Sequence, residues 1–250
     1  MPATRAPSTQ PPVRYDRLDA VRGAALVWMA VFHFCFDLAH HRVIDANFYR
    51  DPFWTTQRTL ILSAFLLCAG AGQAIATAQG QSWVRFWRRW AQVAACAALV
   101  SAGSYLMFPR SYIYFGVLHG MAVMLIVARL SAPLRGWLWP LGALAMLAPG
   151  ALAAPVFDAP QWHWLGLVTR LPITEDYVPV LPWLGVMWWG LAATQWVLAR
   201  WPHALAPARP PGPALRGLGL LGRWSLTFYM VHQPVLIGGL TLFLTLTRSS

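Results

Sequence analysis

His33 stands four residues before Asp37 and eleven after Arg22, inside the run Arg17-Leu-Asp-Ala-Val-Arg-Gly-Ala-Ala-Leu-Val-Trp-Met-Ala-Val-Phe-His-Phe-Cys-Phe-Asp37. An imidazole beside a carboxylate can take up and return a proton near neutral pH, the basis of general acid–base work. On a helix advancing about 100° per residue, Arg22 and His33 fall within about 20° of each other, and Asp19 and Asp37 fall on one line. Asp19, Arg22, His33 and Asp37 then share a narrow face, with His33 about 16 Å along the axis from Arg22. Four ionisable groups on one face of an apolar helix are costly unless they line a polar cavity.

Two further histidines lie in apolar runs. His119 follows Tyr114-Phe-Gly-Val-Leu, and His232 closes Leu221-Gly-Arg-Trp-Ser-Leu-Thr-Phe-Tyr-Met-Val-His-Gln-Pro234. Helical spacing puts Ser225, Tyr229 and His232 on one face, with Gln233 beside them, and Pro234 removes a backbone donor. The Ser/His pair hints at hydrolase chemistry, but there is no GxSxG elbow. His119 and His232 read equally well as structural or as cavity-lining. The polar segment 40–57 opens with His40-His41-Arg42 and holds Asp45, Asn47, Arg50 and Asp51. It reads as a substrate-binding or a solvated loop. Without nearby Cys ligands or an HExxH pattern, no metal is expected. Arg85, Arg88 and Arg89 read as orienting charges against lipid headgroups or as a capture site for a phosphate-rich ligand. Cys35, Cys68 and Cys96 read as small core residues without disulfides.

The elements that position these residues follow from composition. Of 250 residues, 58% are hydrophobic and 11% charged, and the mean hydropathy is +0.48. A soluble domain carries about 25% charged residues. The numbers exclude a soluble domain, a disordered chain, a collagen-like fibre and a disulfide scaffold. They predict an all-α integral membrane protein, a bundle of about seven transmembrane helices over roughly 20–39, 58–78, 87–107, 112–130, 137–154, 178–199 and 219–246. The gaps carry Pro and Gly turn signals, including the Pro/Gly-rich 202–217. Residues 1–16 read as a disordered cytoplasmic tail rather than a signal peptide, leaving 17–250 as one helical domain.

All 19 basic residues are Arg. With the N-terminus cytoplasmic and the C-terminus outside, 13 of the 19 arginines but only 2 of the 8 acids lie inside. That is the positive-inside pattern, and it explains the pI of 10.8 without any nucleic-acid partner. Many of the 15 tryptophans, among them Trp54, Trp83, Trp87 and Trp137, fall near span ends as an interfacial belt.

The segment from Arg17 to Asp37 resembles the opening helix of the heparan-α-glucosaminide N-acetyltransferase catalytic-domain family, part of a transmembrane acyltransferase superfamily. Tyr114-Phe-Gly-Val-Leu-His-Gly120, Leu181-Pro-Trp-Leu-Gly-Val186 and Leu221–Pro234 fit the same family, and the likeness runs from about residue 14 to about 240. The membrane acyltransferase-3 branch has an Arg-x10-His pattern in an early helix, which Arg22 and His33 match. The resemblance implies an acyl-CoA-dependent acyltransferase. Acetyl-CoA or another acyl-CoA would be the cytoplasmic donor, and a sugar-like hydroxyl or amine acceptor would sit on the other side, linked by a polar tunnel.

The roles implied are His33 as general base or acyl carrier, Asp37 orienting it, and Arg22 on the same face. Arg85, Arg88, Arg89 and Arg223 would hold donor phosphates, and His119, Ser225, Tyr229, His232 and Gln233 would line the cavity. In the lysosomal enzymes the position matching His33 looks like Asn and the catalytic His lies further on, so His40 and His41 stand beside His33 as candidates. The expected setting is the plasma (inner) membrane, with lipids, acyl-CoA and the acceptor as partners and a homodimer left open. The competing readings are a transporter or flippase for a polar lipid or small solute, and a non-catalytic membrane subunit.

Overall fold

The computed structural model describes residues 15–201 and 212–248. Apart from Tyr15 and Asp16, the tail expected over 1–16 lies outside these residues, as do 202–211 and the arginines Arg5, Arg14 and Arg209. The described residues form eight α-helices: α1 Asp16–His40, α2 Pro52–Ala78, α3 Trp83–Met107, α4 Val117–Ser131, α5 Leu138–Leu152, α6 Val180–Arg200, α7 Pro213–Arg223 and α8 Ser225–Arg248. The protein is thus an all-helical membrane protein. Five helical stretches are long and apolar enough to cross a membrane, counting Val117–Leu152 as one. That stretch bends at Arg135, whose φ of 48° is left-handed, within a short 3-10 segment. It is therefore two arms of 15 residues each, about 22 Å long.

Local signals explain the helix starts. Asp51 caps α2 by accepting from the Phe53 N–H at 2.8 Å, with Pro52 at the first helical position. Ser82 caps α3. The segment read as a Pro/Gly-rich gap instead contains α7, because Pro213 is a helix-starting proline rather than a breaker. The single span expected over 219–246 is accordingly two helices, broken at Trp224. Glycines let α1 and α7 touch: a Cβ on Gly222 of α7 would run into the Asp19 backbone, and one on Gly23 of α1 into the backbone of Leu218.

Two ends of the bundle can be told apart. At one, Arg223 reaches Asp16 at 2.7 Å and Asp19 at 3.7 Å. Arg22 holds Asp19 at 2.8 Å, and the buried Arg129 donates to the Gln81 carbonyl beneath Trp83 and Phe86. At the other, the loops 108–116 and 166–179 are laced together. Glu175 N–H donates to Ser111 O at 2.8 Å, Thr174 Oγ1 to Tyr112 O at 2.8 Å, and Phe115 and Tyr177 form an isolated parallel bridge. The main core joins α2, α4 and α6 around Leu66, Met124, Met187 and Leu191, all fully buried. A second cluster, around Leu26, Met29, Phe32, Phe48 and Ile61, packs under α8 and the loop after α1.

Candidate functional site

α1 and α8 meet at the polar residues of both. His33 Nδ1 lies 2.9 Å from Gln233 Oε1, and Gln233 Nε2 donates to Asp37 Oδ1 at 2.9 Å. Asp37 thus reaches His33 through Gln233, whereas the i,i+4 spacing had suggested a neighbour acting directly. His232 sits edge-on to His33, with ring centroids 5.1 Å apart, and stacks on Phe228 at 5.7 Å and 8°. Its Nδ1–H donates to the Tyr229 carbonyl at 2.8 Å. A neutral imidazole has one N–H, so His232 Nε2 is a lone-pair acceptor. His232 Nε2 and Asp37 Oδ2 are both buried and have no partner among the described residues. Buried polar atoms without partners are rare in native proteins and mark places where a ligand or water binds.

The structure also sorts the other expected residues. Arg22 and Asp19 pair near the N-terminal end of α1, about three to four turns from His33, where Arg223 joins them. Arg85, Arg88 and Arg89 lie exposed on the first turns of α3, with no carboxylate partner among the described residues, and Arg89 is within electrostatic range of Arg22. Tyr229 bridges two apolar clusters and its ring touches His232. Ser225 opens α8, about 10 Å along the axis from His232. His119 is committed elsewhere. Its Nδ1 accepts from the Gly116 N–H at 3.2 Å and its Nε2 lies 3.0 Å from Ser101 Oγ, so both nitrogens secure the start of α4. His40 is exposed at the last position of α1, and His41 Nδ1 donates to the Asp37 carbonyl at 2.9 Å. Among the described residues no group of three or more His, Cys, Asp and Glu is placed to hold a metal.

A protein-family profile described as Heparan-alpha-glucosaminide N-acetyltransferase, catalytic, matches residues 14–234. The chain belongs to this family. Among curated proteins and solved structures, no significant match is found. Membership in this N-acetyltransferase family implies a transferase activity with an acetyl-CoA-type donor in an integral membrane protein. The matched region contains the whole His33–Gln233–Asp37 arrangement and His232.

One group of this family member escaped the sequence reading. Asp176 counts there only among the six acids expected outside, yet its Oδ2 accepts from the Val117 N–H at 2.7 Å and so holds the N-terminus of α4. Arg58 and Tyr229 are both within its electrostatic range. Burial pushes its carboxyl up from the ordinary value, against the pull of the Val117 N–H and Arg58. Nearby, Tyr177 is pushed up to about 12 by burial and by Tyr114, so its hydroxyl stays a donor, here to the His163 carbonyl at 2.6 Å. No spacing rule links Asp176 to α4 or α8, since the contact depends on how the 166–179 loop folds back.

Proposed function

We propose that this protein is a membrane acyltransferase that moves an acetyl or similar acyl group from cytoplasmic acyl-CoA to a sugar-like acceptor on the other side. The observation that carries the reading is the junction of α1 and α8 within a family member. There His33, Asp37, Gln233 and His232 converge in an apolar bundle and leave buried lone pairs unmatched. A wall of acceptors suits a substrate that arrives with O–H or N–H donors.

His33 takes the proton from the acceptor hydroxyl or amine as its oxygen or nitrogen attacks the thioester carbonyl. The C–S bond then breaks, and the proton passes from His33 to the departing CoA thiolate. His40 and His41 stand about one turn beyond Asp37, on the acceptor side, and fit acceptor contact better than proton transfer. The exposed, acid-free trio Arg85, Arg88 and Arg89 suits the donor's phosphates, with Arg22 and Arg223 at the same end.

In this reading α1–α6 and α8 each cross the bilayer, giving seven spans. α7 lies at the inner interface, the N-terminus is cytoplasmic and the C-terminus is outside. The arginine-rich end and the acid-bearing loops at opposite ends of the bundle support this orientation. The plasma membrane is the proposed setting, and a homodimer is compatible with the lightly buried faces of α3 and α8.

The test uses the full chain in proteoliposomes with acetyl-CoA as donor and glucosamine as a probe acceptor that offers both hydroxyls and an amine. Acceptor-dependent CoA release, with label appearing on the sugar, is expected. Movement of a solute without any CoA release, in protein that shows no thermal shift with acetyl-CoA, would favour transport and sink the reading.

A further inference from the structure

We infer that Gln233 is a positioning residue that transmits Asp37 to His33 and fixes His33 in the tautomer whose Nε2 lone pair is free. This rests on the acyltransferase reading above. As a carboxylate, Asp37 can only accept hydrogen bonds. The Gln233 group 2.9 Å from Asp37 Oδ1 is therefore its NH2. That leaves the amide oxygen turned to His33 Nδ1, also at 2.9 Å. An amide oxygen can only accept, so Nδ1 carries the imidazole proton and Nε2 is bare. The direction of the whole chain is set at its Asp37 end, four residues along α1 from the base it serves.

The arrangement does what a carboxylate bonded directly to a histidine does in a Ser-His-Asp site, with a neutral amide interposed. Interposing it has a physical reason. A neutral amide satisfies one acceptor on Asp37 and one donor on His33 without adding a third charge to an apolar bundle. His232 supports the geometry independently: held by the Tyr229 carbonyl, it packs its ring against the face of His33 and limits that ring's rotation.

The test compares four forms of the full chain in the assay above: parent, Gln233→Leu, Gln233→Glu, and the exchange Asp37→Asn with Gln233→Glu. Gln233→Leu should lower kcat by about 10²-fold while KM for acetyl-CoA stays within about twofold. Gln233→Glu alone sets two carboxylates against each other and should lose activity to a similar degree. The exchange restores the order of donors. The new amide at 37 donates to the new carboxylate at 233, whose other oxygen accepts from His33 Nδ1–H, and kcat should return to within about fivefold of the parent.

A folded Gln233→Leu protein with parental kcat overturns the relay, and so does a rise in KM for the sugar with kcat unchanged, which would make Gln233 a substrate contact. If Gln233→Leu does not fold, the other two variants decide, and equal activity of Gln233→Glu and the exchange overturns the proposal. Loss of activity in His33→Ala with full activity in all Gln233 variants strikes the relay alone. Parental activity in His33→Ala strikes the acyltransfer chemistry assigned to His33, and the relay with it.

Discussion

Between α2 and α6 the chain sets glycines against backbone; between α1 and α8 it sets histidine, glutamine and aspartate against one another. A Cβ on Gly70 would meet the Met187 carbonyl and one on Gly190 the backbone of Leu67; between α5 and α6, one on Gly185 would meet the Gly142 carbonyl. Lipid tails are as apolar as leucine, so helices in a membrane gain little by hiding apolar side chains. They associate through close backbone approach or through polar bonds. The α2–α6 side uses the first device and the α1–α8 side the second. Burial leans the same way for α2 and α8: 39% of the apolar window of α2 is buried, against 11% of that of α8. A tight frame carries a looser wall, and the groups proposed as reactive are on the wall. Stability and chemistry should therefore respond to different substitutions.

The largest separation is expected at His33. His33→Ala should cut acyl transfer by about 10²–10⁴-fold while the melting temperature in detergent stays close to the parent's. A matching collapse of both would erase the distinction between frame and wall. Gly190→Val should do the reverse, costing about 1–3 kcal/mol because its side chain meets the Leu67 backbone, and lowering activity only through the folded fraction. Normal melting with lost turnover would show that the frame also shapes the site.

Arg85→Ala with Arg88→Ala should raise KM for acetyl-CoA about tenfold and leave kcat nearly unchanged, since exposed charges at the inner end bind donor equally in ground and transition states. An unchanged KM would leave these arginines only their part in orientation.

The smallest effect is expected at Asp176, where frame and wall meet at the outer end. Its folded carboxyl is raised above the ordinary 3.8, so it binds its proton more tightly folded than unfolded. Its contribution to stability is complete below 3.8 and is lost as pH rises through the folded value. Asp176→Asn keeps an acceptor for the Val117 N–H without the charge. Its melting temperature should match the parent's at low pH and equal or slightly exceed it at neutral pH. A variant that falls behind as pH rises would mean the charge at Asp176 is stabilising through Arg58.

Much of this was legible in the chain because helical periodicity is a local property. Asp19, Arg22, His33 and Asp37 share α1 and its register is fixed by sequence alone. Asp51-Pro52 reads instead as part of a polar gap with the span starting near 58, whereas the pair caps and starts α2. What spacing on one helix cannot show is which neighbour fills the gap between two side chains, so Gln233 was visible as a cavity residue but not as the link between Asp37 and His33. His119 reads equally well as structural or as cavity-lining, and spacing alone could not show that its nitrogens meet the Gly116 N–H and Ser101 Oγ. α7 was obscured because Pro and Gly were weighed as breakers, whereas Pro213 starts a helix and Gly222 lets it lie against α1. Asp176 was obscured because loop acids carry no periodicity.

The link between His33 and Gln233 joins residues 200 positions apart, on the first and last of the described helices. During synthesis α1 enters the membrane early and α8 last. Until α8 arrives, Asp37 has no Gln233 to donate to it, and His33 is free to turn and change tautomer. A chain released before α8 inserts can hold the glycine-packed frame and still lack the Gln233 link between Asp37 and His33. On the proposed mechanism, acyl transfer then reports that α8 has inserted, and copies without it stay silent.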